Sequence, residues 1–71
     1  MTNTLLLRQK VEESGYKVIY LAEKVKLTPQ GFYKKLNDGS DWLYSQVMIL
    51  KDLLHLADDE VDAIFFTAKV E

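Results

Sequence analysis

Gln30, Tyr33 and Lys34 lie three and four residues apart, the spacing that brings side chains onto one face of a helix. The chemistry they offer is recognition. A glutamine amide can form paired hydrogen bonds with adenine, and a lysine can reach guanine or a phosphate. A tyrosine can touch a thymine methyl or the sugar-phosphate backbone. Each also has a plainer reading as a solvated side chain on an exposed helix face. Thr28 and Asn37 bracket the same stretch, Thr28 as a helix cap first and a DNA contact second, and Lys17 upstream is a candidate phosphate clamp. The candidate DNA-binding set is therefore Lys17, Thr28, Gln30, Tyr33, Lys34 and Asn37. Catalysis is not predicted, because no nucleophile, base and orienting group and no phosphate loop can be assembled. There is no cysteine, and the lone His55 cannot build a histidine metal cluster, so neither metal nor cofactor is expected.

The elements that must position these residues read as five helices in one all-α domain over residues 1–71. The first runs from about Thr4 to Ser14, capped by Asn3 or Thr4 and closed by Gly15, with Leu7, Val11 and either Leu5 or Leu6 as its buried stripe. The second runs from about Val18 to Val25 and buries Val18, Leu21, Ala22 and Val25. Lys26-Leu27 is a short turn. Thr28-Pro29 then supplies a hydroxyl cap followed by proline at the first helical position. The third helix uses Phe32 and Leu36 as core contacts and stops at Asn37-Asp38-Gly39. Beyond it Trp42 turns inward. The fourth helix spans about Tyr44 to Leu56, burying Val47, Leu50, Leu53 and Leu54, with His55 as a polar position on it. The fifth starts at Asp58 or Asp59 as cap and buries Val61, Ile64 and Phe65. Phe66 cannot face the same core as Phe65. It either folds over the core edge or joins Trp42 and Tyr44 in a partner or dimer surface.

Two short helices joined by about three residues, over about residues 18–37, are the geometry of a helix-turn-helix. Ala22 suits a close helix crossing, and Leu27 and Phe32 suit the lock between the two helices. Charge is divided along the chain. The net charge of -2 separates into +4 over residues 1–36 and -6 over residues 37–71, so a basic face can meet phosphate while the far side stays acidic. The start Met1-Thr-Asn-Thr shows no basic segment leading into an apolar run, and the apolar run Val47 to Leu50 is too short to cross a bilayer. With no cysteine in the chain, the expected compartment is a reducing cytoplasm.

In this order and at these distances, Tyr20-Leu-Ala-Glu-Lys-Val-Lys-Leu-Thr28 and Gly31-Phe-Tyr-Lys-Lys-Leu-Asn37 resemble the helix-turn-helix of the Cro/C1-type proteins of temperate phages. Leu53-Leu-His-Leu-Ala-Asp-Asp-Glu-Val61, followed by Ile64-Phe-Phe66, is similar to the close of a phage subgroup. The resemblance implies a five-helix phage-repressor-like fold and regulation of a lysogenic/lytic genetic switch. The chain departs from the pattern at Lys26, where glycine is usual, so the resemblance implies a lysine in the left-handed conformation at a cost of roughly 1 kcal/mol. It departs also at Pro29 and Gly31, which remove two opportunities for base contact. Two functions follow. One is a Cro-like operator binder, a homodimer being open. The other is a modulator or antirepressor that binds the phage repressor protein. The acidic Asp58, Asp59, Glu60 and Asp62, with Trp42, Tyr44 and Phe66, form the candidate surface for that partner.

Overall fold

The computed structural model describes residues 2–66, and within them the chain forms five helices and no strand. They are α1 (Thr4–Ser14), α2 (Val18–Lys24), α3 (Pro29–Asp38), α4 (Tyr44–Leu53) and α5 (Asp58–Phe65). None is long enough to be stable in isolation, so the ends and the shared core decide the structure.

Asn3 caps α1, its Oδ1 accepting from Leu6 N at 3.1 Å, and Gly15 and Gly39 take left-handed φ values of 79° and 74° to end α1 and α3. Leu7 and Val11 are buried with half-buried Leu6, whereas Leu5 is exposed. The end of α2 is closed by two crossed backbone bonds, Leu27 N to Ala22 O at 2.8 Å and Lys26 N to Glu23 O at 3.1 Å. That closure places Lys26 at φ 62°, the left-handed conformation expected of it. Thr28 Oγ1 then accepts from Gly31 N at 3.0 Å to open α3. A β-carbon at Gly31 would lie 3.2 Å from that hydroxyl, so the glycine leaves room for the cap.

Three sequence expectations are corrected. The fourth helix ends at Leu53 rather than about Leu56, because the closure seen after α2 recurs here. Leu56 N donates to Lys51 O at 2.9 Å and His55 N to Asp52 O at 3.3 Å, which puts His55 at φ 55° in the turn rather than on the helix. The cap of α5 is Ala57, not Asp58 or Asp59. Ala57 N donates to Glu60 Oε1 at 2.8 Å, half of a capping box, and Asp58, Asp59 and Glu60 occupy the first turn, where carboxylates suit the helix dipole. Phe66 does not fold over the core edge: it is 53% exposed, while Phe65 is buried.

The core gathers Leu7, Leu21, Val25, Phe32, Val47, Leu50 and Ile64, all but excluded from solvent. Trp42 enters from the α3–α4 loop and meets Phe32 edge-on at 5.3 Å and Phe65 at 6.2 Å between ring centroids. The polar side chain of Gln46 is buried with this core. Gln46 accepts from Leu43 N at 2.9 Å, capping α4, and donates to Val25 O at 3.2 Å, tying α4 to the end of α2. The segment before α1 is also held, with Asn3 N bonded to Ile64 O at 2.7 Å and the buried Thr2 donating its hydroxyl to Ser40 O at 3.3 Å.

Phe32→Ala should lower stability by about 2–5 kcal/mol through lost burial and a residual cavity. Lys26→Gly should raise it by about 1 kcal/mol, since glycine adopts the left-handed turn without the steric penalty a lysine bears. Thermal melts of the two variants should move in opposite directions; a lower melting temperature for Lys26→Gly would mean that the turn is not strained.

Candidate functional site

The face of α3 opposite Phe32 and Leu36 is open. Gln30, Tyr33, Lys34 and Asn37 are all exposed on it, and Thr28 at its start is exposed while serving as the cap. The structure thus gathers five of the six sequence candidates on one helix. The sixth, Lys17, stands exposed at the N-cap of α2, where its side chain makes no capping bond.

Charge on this face is partly compensated. Lys34 Nζ lies 3.3 Å from Asp38 Oδ2, one turn along. The Asp38 carboxylate also accepts from Ser40 Oγ at 2.6 Å and Ser40 N at 2.9 Å. Those Ser40 bonds, with a smaller contribution from Lys34, hold its pKa down at about 2. Lys35 is turned away, donating to Asp41 O at 2.6 Å with its ammonium 5.5 Å from the Trp42 ring centre.

A cleft of about 220 Å³ runs beside α3 where it meets α1 and α2. Its floor is Val11, Val18 and Leu36, and its walls are Arg8 and Glu12 from α1 and Tyr33 and Asn37 from α3. A second cleft, of about 420 Å³, lies between the α2–α3 turn and the start of α4, lined by Val25, Leu27, Leu43 and Ile49 with Lys26 and Gln46. Among the described residues no group of three His, Cys, Asp or Glu side chains could hold a metal ion, and no helix is long and apolar enough to cross a membrane.

No family model, curated protein or solved structure matches the chain.

The candidate partner residues are less unified. Trp42 is half-buried against Phe32 and Phe65, so its ring serves the core. Glu60 is committed to structure: it caps Ala57 and accepts from Lys10 Nζ at 2.6 Å, a bond that lowers the Glu60 pKa and raises that of Lys10. Asp58 sits 3.2 Å from Lys51. Asp59, Asp62, Tyr44 and Phe66 remain exposed.

Sequence reasoning passed over the outer face of α2. Tyr16 and Tyr20 stack with ring centroids 5.1 Å apart, Lys24 lies 5.2 Å from the Tyr20 ring centre, and Ile19 is exposed beside them. The four-residue spacing of Tyr20 and Lys24 on α2 is the signal that was available, whereas Tyr16 reaches Tyr20 from the turn before the helix. Arg8 was also passed over, because its place beside α3 depends on how α1 packs.

Asp38 and Glu60 titrate below their ordinary values, so both favour the folded state at neutral pH, and that contribution is lost as acid protonates them. For Asp38 the loss should fall between its ordinary 3.8 and about 2. Asp38→Asn should therefore flatten the acid limb of a stability-against-pH curve in that window and leave the neutral-to-alkaline limb unchanged. An acid limb identical to the wild type would show that Ser40 and Lys34 do not favour the charged carboxylate.

Proposed function

We propose that the chain is a phage-type transcriptional regulator that occupies operator DNA through a helix-turn-helix formed by α2, the Lys26-Leu27 turn and α3. The observation that carries this reading is the two-sided character of α3: Phe32 and Leu36 fix one face in the core, while Gln30, Tyr33, Lys34 and Asn37 project from the other. A helix anchored this way can lie in the major groove with its N-terminal residues nearest the base edges. Gln30 then faces a base, Tyr33 a base or the sugar-phosphate backbone, Lys34 a base or a phosphate, and Lys17 a phosphate beside α2. Regulation follows from occupancy, which excludes polymerase or a competing repressor.

A second reading has its own observation. Leu43 and Tyr44 at the start of α4 are 66% and 71% exposed, and Phe66 is exposed at the end of α5. Large apolar side chains in such positions suit a protein partner. A modulator that binds the phage repressor would use them together with the exposed Asp59 and Asp62.

Mobility-shift titration against DNA flanking the gene, with and without the purified repressor, separates the two. Operator binding should weaken steeply with salt, and Lys17→Ala should flatten the slope by about one unit. Gln30→Ala combined with Lys34→Ala should reduce promoter occupancy with little change in melting temperature, both side chains being exposed. Absence of operator binding alongside a stable repressor complex, weakened by charge reversal at Asp59 and Asp62, would replace the first reading with the second.

A further inference from the structure

The cations of the described chain fall into two groups. Lys10, Lys34 and Lys51 lie against carboxylates, and Lys35 is bonded to a backbone carbonyl. Arg8, Lys17, Lys24 and Lys26 make no such contact among the described residues, Lys24 lying instead over the Tyr20 ring. One of these four lines a cleft, and a second is next in the chain to a residue of its floor. Arg8 forms a wall of the cleft beside α3, and Lys17 immediately precedes Val18 on its floor. The opposite wall is Tyr33 and Asn37, whose hydroxyl and amide also lack a partner among the described residues.

We propose that the DNA-contacting surface extends from α3 onto α1, with Arg8 holding a backbone phosphodiester at the mouth of this cleft. The proposal rests on the operator-binding reading and adds a contact outside the helix-turn-helix. A guanidinium presents a planar fork of donors that matches two phosphate oxygens at once. The Tyr33 hydroxyl and Asn37 amide can donate to the same group, and the apolar floor of Val11, Val18 and Leu36 limits the water that competes for it. Such a contact fixes the depth and register of α3 without reading sequence. Glu12 shares the wall with Arg8 and opposes an anion there, so the two residues should act with opposite sign.

The test uses the full chain with two duplexes of equal length, one from the DNA flanking the gene and one unrelated, titrated over a range of salt. Arg8→Ala should weaken both complexes by about tenfold and flatten the salt slope by about one unit, Arg8→Lys should restore the slope, and Glu12→Gln should tighten both. Circular dichroism melts should match the wild type for all three, as both positions are exposed. If wild-type protein binds neither duplex, the operator reading and this proposal fall together. If it binds and Arg8→Ala is indistinguishable from it, the Arg8 contact alone is overturned. Loss confined to the flanking duplex would make Arg8 a base reader, contrary to the proposal. Arg8-dependent binding of millimolar inorganic phosphate with unchanged DNA affinity would mark a small-anion site and also overturn it.

Discussion

Phe32 is the contact on which the placement of α3 depends. It is fully buried and meets Trp42 edge-on, and Trp42 in turn meets Phe65. This aromatic relay joins α3, the loop that follows it and the last helix, so the outward aim of Gln30, Tyr33 and Lys34 is set from the inside of the protein. Among the described residues the buried Trp42 indole N–H has no hydrogen-bond partner, and edge-on ring contacts with Phe32 and Phe65 hold the ring.

With helices of 7–11 residues, each terminus is a large fraction of its element, and the chain invests its polar side chains there. Gln46 and Glu60 each fold back on the backbone N–H three residues earlier, and Asn3 and Thr28 cap forward. Where the residue at the cap position supplies its own acceptor, sequence and structure agree. Thr28-Pro29 and Asn3 were legible because a cap needs only its own next turn, and Phe32 with Leu36 because their spacing is that of one helical face. The close of α4 was not legible, because the usual glycine is absent. The pattern that marks it is Leu54-His55-Leu56, a polar residue between two apolar ones, which repeats Val25-Lys26-Leu27 at the close of α2. The Ala57 cap was hidden because its acceptor belongs to Glu60, and the bond from Gln46 to Val25 spans 21 residues that no local pattern connects.

The candidate site divides along the same line. Its exposed face was readable from helical periodicity, whereas its electrostatics were not. The sequence showed a basic first half but not that Lys10 and Lys35 are engaged elsewhere, or that Lys34 lies beside a carboxylate held by Ser40. Phe65-Phe66 was readable as one inward and one uncertain ring, and only the packing of α5 settles that the second faces outward. Arg8 and the stacked Tyr16 and Tyr20 acquire meaning from neighbours that helix packing supplies.

The bond from Asn3 N to Ile64 O and the Lys10–Glu60 pair bring together segments that lie far apart in the sequence. Helices α1 and α5 therefore brace each other, and neither can fray without releasing the other. In hydrogen exchange the two would open as one cooperative unit despite the 43 residues between them, and because Phe65 of α5 meets Trp42 against Phe32, that opening would also loosen the hold on α3.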